Sequence, residues 1–422
     1  MIKDDCIMND NNMILTQIKL HNEKRSMARK VFATMLAIIN FLIFVFAYHD
    51  TSKASDFEYY NRDSQLQSDL SLSAASYITG NYIYYDDVFP APVKDDIWVI
   101  YNLLDDADKK IYNLFLDLID HRAGEEYTNG IIIANQQLDQ IGPDHFLNIY
   151  EAVVYDHPEY FFLMSNPEMI SCQSLQTANY CAYIYTIKAQ TDEEAVQIDE
   201  FNAATEQFMQ DIDLSRPAEE IELAIHDKLI SLVNYDYDLL EEIQNEGSAH
   251  DLGHTAYGAL VRDSSSRQNS AVCSGYSFAF QYLCQQAGIP CCTLTGSASY
   301  LTNESLDARA NGHTWNSVSI DGNWYELDVT WDDYEYREPL DYDFYEALMN
   351  DGEKSYNNLH HFYNKTTYEM EYLEATDDTV FRIAGYLPYS TRKDSTHIRY
   401  TTMNGSGDDQ DAFRNQLIPV AG

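Results

Sequence analysis

Residues 271–280 read Ala-Val-Cys-Ser-Gly-Tyr-Ser-Phe-Ala-Phe and place the thiol of Cys273 at the start of an apolar helical pattern. The apolar positions that follow recur at helical spacing, at Tyr276, Phe280, Leu283 and Ala287. Gly288 and Pro290 then stop the helix. The sequence therefore predicts Cys273 at a helix N-terminus. There the helix dipole and free N–H groups lower the pKa of a thiol and can form an oxyanion hole.

A hairpin is predicted further along, where residues 313–328 read His-Thr-Trp-Asn-Ser-Val-Ser-Ile-Asp-Gly-Asn-Trp-Tyr-Glu-Leu-Asp. Asp321-Gly322 is a strong signal for a two-residue turn. The register that this turn predicts pairs Ile320 with Asn323, Ser319 with Trp324, Trp315 with Asp328 and His313 with Thr330. Because side chains alternate along each strand, His313 and Asp328 should share a face as diagonal neighbours.

Cys273, His313 and Asp328 thus form a candidate catalytic triad of nucleophile, base and orienting acid. A single Cys at a helix start is more often a small buried residue, and a single His in a strand is more often structural. The three residues in this order, with a helix and a hairpin around them, favour catalysis. Tyr257 is a further candidate, as a donor to an oxyanion, and core packing is the alternative interpretation.

From about His226 to Asp333 the chain resembles the transglutaminase-like superfamily, whose core is a papain-like thiol fold. The resemblance rests on the triad stretches and on the segments around them, residues 254–260, 287–290 and 328–333. It implies Cys273 as the nucleophile, His313 as the base and Asp328 as the orienting acid. The superfamily includes cross-linkers, peptidases, amidases and inactive members, so the resemblance alone leaves the reaction open.

The sequence and this resemblance together predict an enzyme that transfers acyl groups through a Cys273 thioester. Its partners would be peptide or protein amides, and a cysteine peptidase or amidase is preferred to a cross-linking enzyme. The alternative is a catalytically inactive surface module that binds peptide or cell-wall material. No cofactor is predicted, and no catalytic metal, because the chain has neither a paired Cys-x-x-Cys pattern nor His-Glu-x-x-His.

The composition narrows the choice of partners. The 422 residues include 68 Asp and Glu against 26 Lys and Arg, a net charge of −42. Nucleic acid is excluded as a partner, since its binding needs Lys and Arg to neutralise phosphates.

Residues 31–48 are free of charge and follow Lys24, Arg25, Arg29 and Lys30, which predicts a single membrane anchor with the rest of the chain outside the cytoplasm. A cleaved signal peptide, followed by secretion, is the alternative.

The predicted fold class is α+β: a papain- or transglutaminase-like core, with the nucleophile helix on an antiparallel sheet, preceded by a smaller α+β domain and the membrane segment. Composition and pattern divide the chain into seven consecutive segments. They are a cytoplasmic N-terminus (1–30), the membrane segment or signal peptide (31–48), a linker (49–73), the α+β domain (74–191), the transglutaminase-like domain (192–370), C-terminal strands (371–403) and a disordered tail (404–422).

Overall fold

The computed structural model describes residues 82–84, 97–123, 130–135, 143–176, 181–246, 251–261, 269–298, 312–333, 360–371, 397–401 and 409–422. Apart from Gln176, these residues belong to one compact unit that comprises Gly80–Leu175 and Tyr180–Gly422. The unit is a mixture of helices and mainly antiparallel sheet. The predicted class is therefore confirmed at the level of a mixed helix and sheet fold.

The helices of the described residues are numbered in chain order. They are α1 (Val99–Leu103), α2 (Asp106–Asp120), α3 (Pro143–Asp156), α4 (Phe161–Met164), α5 (Asp192–Met209), α6 (Ala218–Leu232), α7 (Tyr237–Glu246), α8 (Ala256–Leu260), α9 (Cys273–Gln286), α10 (Val329–Asp332), α11 (Thr367–Glu371) and α12 (Asp409–Leu417). The strands are β1 (Tyr82–Tyr84), β2 (Gly130–Asn135), β3 (Ile170–Gln176), β4 (Cys181–Ile187), β5 (Asn234–Tyr235), β6 (Ser270–Ala271), β7 (Cys291–Ala298), β8 (Gly312–Ile320), β9 (Asn323–Leu327) and β10 (His397–Arg399).

These strands form two four-stranded sheets and one small pair. The first sheet has the order β1-β2-β4-β3, with β1 parallel to β2 and β2 antiparallel to β4. The second has the order β10-β7-β8-β9, and every neighbouring pair in it is antiparallel. The short strands β5 and β6 pair in parallel, and β6 lies immediately before α9. The second sheet carries the residues discussed below.

Helix α9 starts at Cys273, as predicted, and is buried almost along its whole length. It ends at Gln286, and Gly288, two residues later, has a φ of 74° that an L side chain rarely adopts. Gly275 allows a close approach at the start of the helix, since a Cβ there would lie 2.5 Å from the carbonyl oxygen of Gly253. The helix packs on the second sheet, where the Asn316 side chain of β8 donates to the carbonyl oxygen of Ser277 at 2.9 Å.

The hairpin β8–β9 has the predicted turn and register over most of its length. Asp321 and Gly322 both have positive φ, 49° and 83°, as a two-residue hairpin turn requires. Ile320 pairs with Asn323, and Ser319 pairs with Trp324. The ladder ends at the pair Asn316–Leu327, however, so the predicted pairs Trp315–Asp328 and His313–Thr330 are wrong. Asp328 leaves the strand because it caps α10, which begins at the next residue.

Hydrogen bonds tie α9 to the end of helix α3. The side chain of Gln281 donates to the carbonyl oxygen of Tyr155 at 2.6 Å, and that of Gln285 to the carbonyl oxygen of Asp156 at 2.9 Å. One hydrophobic core extends from Ile100 to Val329. Elements on both sides of the predicted domain boundary at residue 192 therefore contribute to the same core.

The prediction of a disordered tail at 404–422 is wrong for its last fourteen residues. Residues 409–417 form helix α12, and Ala412, Arg414, Asn415 and Ile418 are buried. The side chain of Asn415 donates to the carbonyl oxygens of Thr295 and Tyr400, at 2.7 and 2.9 Å. These contacts are long-range, so the polar composition of the segment gave no sign of them.

The predicted membrane segment, 31–48, lies outside the described residues. Within the part of the chain that the structure describes, no helix is both long and apolar enough to cross a membrane.

Candidate active site

Cys273 is the first residue of α9 and is half-buried. Burial raises the pKa of its thiol, but the His313 ring and Thr314 lower it more, so the pKa lies below the ordinary value of a cysteine. The first-turn N–H groups of a helix have no intrahelical partner and stabilise negative charge. A thiolate is therefore favoured at this position.

His313 lies on β8, where it pairs with Gly296 of β7. Its ring lies against Trp331, with the ring centroids 5.1 Å apart, and is stacked on Trp315 at 6.2 Å. Its Nε2 atom lies 2.6 Å from Oδ2 of Asp328. Because the carboxylate occupies Nε2, Nδ1 is the nitrogen that remains for the thiol of Cys273.

Asp328 is fully buried, and both of its carboxylate oxygens are hydrogen-bonded. Its Oδ1 atom accepts the backbone N–H of Trp331 at 3.0 Å, which caps helix α10. Its Oδ2 atom accepts from His313 and also from Nε2 of His397, at 2.9 Å. Burial opposes the charge, but the two histidine rings hold the pKa of Asp328 well below its usual range. The carboxylate is therefore ionised and fixed in orientation.

The charges of these residues support an ion pair between thiolate and imidazolium. Burial lowers the pKa of His313, but the Asp328 carboxylate raises it more strongly, and the net effect is a pKa of about 10. Cys273 and His313 shift one another in opposite directions, each towards its charged form. The two residues thus favour a pair made of a thiolate at Cys273 and a protonated ring at His313.

His397 is the residue of this site that the sequence did not reveal. It lies on the edge strand β10, 69 residues after Asp328, and is buried among Trp315, Trp331 and Phe362. Burial lowers its pKa, and so does the nearby His313. A neutral His397 can still donate from Nε2. The sequence around it carries no motif, because only the pairing of β10 with β7 brings it to Asp328.

Tyr257 and Glu326 have other partners. The predicted oxyanion role of Tyr257 is not supported, since its hydroxyl donates to Glu200 of α5 at 2.7 Å. Glu326 is buried and accepts from Nε1 of Trp315 at 2.6 Å and from Arg399 at 2.7 Å. Asp328, and not Glu326, is therefore the carboxylate that is hydrogen-bonded to His313.

A cavity of about 600 Å³ adjoins the helix start at Ser274, the residue after Cys273. Its wall is mostly apolar and includes Val154, Leu163, Ile170 and Phe278. His254 also lines it, with Nδ1 of the ring 3.0 Å from the hydroxyl of Ser274. A cavity of this size and polarity suits an apolar group of a ligand.

Two groups of side chains in the described residues have the spacing of metal ligands: His313, Asp328 and His397, and a second group of His226, Asp227 and His360. The first is completely buried and forms the hydrogen bonds described above. The second has a different environment, because the side chain of Asp227 is 47% exposed.

Comparison with known proteins gives a family match for part of the chain. Residues 206–329 match the family model of the transglutaminase-like superfamily. The Kyphoscoliosis peptidases of Mus musculus and Homo sapiens are 34% identical over 68 residues, which cover 15% of this chain. The chain spans about a tenth of the length of these curated relatives, since the match covers 10% of each.

Two solved structures are also similar. A crystal structure of a TGase has 12% identity and a TM-score of 0.24, covering 48% of this chain and 51% of its own. A candidate cysteine protease from Cytophaga hutchinsonii has 14% identity and a TM-score of 0.21, covering 39% of this chain and 63% of its own. Residues 206–329, which include Cys273, His313 and Asp328, are a domain of the transglutaminase-like superfamily.

Proposed function

We propose that the protein is a thiol enzyme that transfers acyl groups from peptide or protein amides through a thioester at Cys273. The observation that carries this proposal is the buried hydrogen bond of 2.6 Å between His313 and Asp328, next to a cysteine whose pKa is lowered by the same ring. A structural cysteine in an apolar environment has the opposite shift. The fully buried Cys292 shows this, because burial raises its pKa to above its ordinary value.

The first half of the reaction forms the thioester. The Cys273 thiolate attacks the carbonyl carbon, a C–S bond forms, and the negative charge passes to the carbonyl oxygen. Backbone N–H groups at the start of α9 are suitable donors to this oxygen. The C–N bond then breaks, and the proton on Nδ1 of His313 goes to the leaving amine.

The second half releases the acyl group. His313, now neutral, takes a proton from water or from an amine, and that nucleophile attacks the thioester. The C–S bond breaks and the thiolate is restored beside a protonated His313. Water as the nucleophile gives hydrolysis, whereas an amine gives cross-linking.

We propose hydrolysis as the main outcome, so that the enzyme is a peptidase or amidase. The curated relatives that match 68 residues of this chain are peptidases by name, which supports this choice. The mostly apolar cavity beside Ser274 suits a polypeptide substrate with an apolar side chain near the reacting amide.

The test is to incubate the purified protein with unfolded casein and with a fluorescent primary amine. New amino termini, or ammonia released without incorporation of fluorescence, would indicate hydrolysis, whereas fluorescence incorporated into casein would indicate cross-linking. Either activity should vanish in Cys273→Ser while the thermal unfolding of that variant is unchanged. Binding of casein without either product, at equal strength in wild type and Cys273→Ser, would replace the proposal by the catalytically inactive module.

A further inference from the structure

We propose that His226, Asp227 and His360 form a binding site for one divalent transition-metal ion of the zinc class, separate from the active site. The three ligand atoms would be Nδ1 of His226, Oδ1 of Asp227 and Nε2 of His360. They already converge, since Oδ1 of Asp227 lies 3.0 Å from the first nitrogen and 2.7 Å from the second. This proposal does not depend on the acyl-transfer reaction.

The orientation of the two rings fits a shared ion. Two imidazoles bound to one tetrahedral zinc at about 2.0–2.1 Å have ring centroids roughly 5 Å apart. The centroids of His226 and His360 are 5.3 Å apart. Tyr363 packs edge-on against both rings, at 5.2 and 5.6 Å, and so holds them in this arrangement.

The second nitrogen of His226 has the partner that a metal-bound histidine normally has. Its Nε2 lies 3.3 Å from Oδ2 of Asp332, a completely buried carboxylate at the end of α10. A carboxylate at the far nitrogen of a ligating imidazole fixes its tautomer and increases its basicity. Asp332 is itself fixed, because its Oδ1 accepts the backbone N–H of Phe362 at 2.9 Å.

The charge around the rings favours a cation. Glu222 lies one helical turn before His226, is completely buried, and has an Oε1 atom without a hydrogen-bond partner among the described residues. With Asp227 and Asp332, it brings a third carboxylate to the neighbourhood of two imidazoles. Nitrogen ligands select the zinc class over calcium or magnesium.

Solvent access distinguishes the proposed metal site from the group of possible ligands at the active site. The side chain of Asp227 is 47% exposed, so an ion can enter beside it and keep a water ligand. Asp328, by contrast, is completely buried. An ion at the proposed site would link helix α6 to residues 360–364, and the carbonyl oxygen of Phe362 in this segment accepts the backbone N–H of Asp328 at 3.1 Å.

The experiment titrates the full chain with Zn²⁺ in competition with a chromophoric chelator, using a Cys273→Ala background so that the active-site thiol cannot bind the ion. We expect one ion per chain and a rise in Tm of a few degrees at about 100-fold excess over Kd. Co²⁺ should give the visible absorption bands of a tetrahedral site.

The binding of Zn²⁺ and the rise in Tm should both disappear in His360→Gln and in Asp227→Asn. His121→Gln is the matched control, because His121 also contacts an aspartate, Asp117, but at an exposed site that belongs to neither of the two groups of candidate ligands. The control should bind one ion. Failure of the Cys273→Ala protein to bind Zn²⁺, or binding that survives both ligand substitutions, would overturn the proposal. Binding that occurs only when Cys273 is present would assign the ion to the active site instead and would equally overturn it.

Discussion

At the residue scale, the electrostatics of the site depend on the hydrogen bonds that the Asp328 carboxylate accepts. Its carboxylate accepts three hydrogen bonds, from His313, His397 and the backbone of Trp331, and each one favours the ionised form. The charge in turn keeps the His313 ring protonated and turned towards Cys273. We therefore expect the reactivity of the Cys273 thiol to depend on Asp328, which acts on it through His313.

The first prediction concerns the pH dependence of Cys273 alkylation. Because His313 and Thr314 lower the pKa of the thiol, its thiolate is present at lower pH than in a free cysteine. The rate should hold on the alkaline side and fall as the pH decreases through an apparent pKa below about 8.5. Iodoacetamide modification followed by intact mass measures it. A profile that coincides with that of a model thiol would rule out activation.

The second prediction concerns Asp328→Asn. An asparagine removes the charge that keeps the His313 pKa high, so the ring loses its proton and the thiol pKa returns towards the ordinary value. Activity should fall by about 100-fold or more, as is typical when an orienting acid is neutralised. Assays of amide cleavage and of alkylation at neutral pH both measure the loss.

Two residues of the hairpin serve as controls for this change. Ser317→Ala removes a buried hydroxyl that has no hydrogen-bond partner among the described residues, and it should retain nearly full activity. Glu326→Gln leaves the buried Arg399 without its ionic partner, so it should lower stability while the remaining folded protein keeps its thiol reactivity. Loss of reactivity in Glu326→Gln with none in Asp328→Asn would show that the acid is misassigned.

The third prediction makes His397 a positioning residue. His397→Phe removes a donor to Oδ2 of Asp328, so the carboxylate can turn away from His313, and we expect alkylation at pH 7 to slow by about tenfold. His397→Gln keeps an N–H donor and should restore most of the rate. If both variants were equally slow, or equally fast, at matched thermal stability, the hydrogen bond would have no positioning role.

At the element scale, the sequence predicted what short-range rules determine. The Asp321-Gly322 turn fixed the hairpin register from Ile320 back to Asn316, and the pattern after Cys273 fixed the start of α9. Prediction from the sequence failed where the local signal for a strand or a loop was weaker than another interaction of the same residues. Asp328 left the ladder to cap α10, although the hairpin pattern extended the strand through it.

Helix α12 is the clearest case of an element that depends on distant contacts. It has a polar sequence, but Arg414 is buried between Glu151 and Asp411 and lies 3.5 Å from the centroid of the Tyr155 ring. The position of His397 also depends on distant contacts, because the three-residue strand β10 brings it into the site. Neither the burial of α12 nor the position of His397 could be predicted, since Glu151, Tyr155 and Asp328 lie far away in the sequence.

The fourth prediction tests the role of α12. Asn415→Leu removes the buried hydrogen bonds that Asn415 donates to the carbonyl oxygens of Thr295 and Tyr400, and each such bond contributes about 1 kcal/mol to stability. The free energy of unfolding in urea should fall by at least this amount. Val420→Ala is the control, because Val420 is 70% exposed and its replacement should change stability by less than about 0.5 kcal/mol. Equal stability of the two variants would mean that the helix does not support β7.

At the scale of the whole molecule, the order of the motifs was enough to predict the superfamily of residues 206–329. It was not enough to predict how much of the chain supports that domain. Gln281 and Gln285 of α9 bond to the backbone at the end of α3, more than 120 residues earlier. In the sequence these side chains look like ordinary polar residues of a helix, and their buried partners are brought close only by the folding of the chain.

The last prediction concerns where the molecule resides. Residues 31–48 carry no charge and follow four basic residues, so a full-length chain expressed in a bacterium should sediment with membranes and resist extraction with alkaline carbonate. Replacing Ile43 and Val45 by lysine puts two charges within the apolar run, at a cost of about 2.5–3.5 kcal/mol each near a helix centre, and should release the chain. Replacing Leu301 and Leu306 by lysine adds the same charge outside the run and should leave the protein in the membrane fraction. A soluble form that begins near Tyr48 would show instead that the run is a cleaved signal peptide, and a full-length soluble chain would exclude both roles.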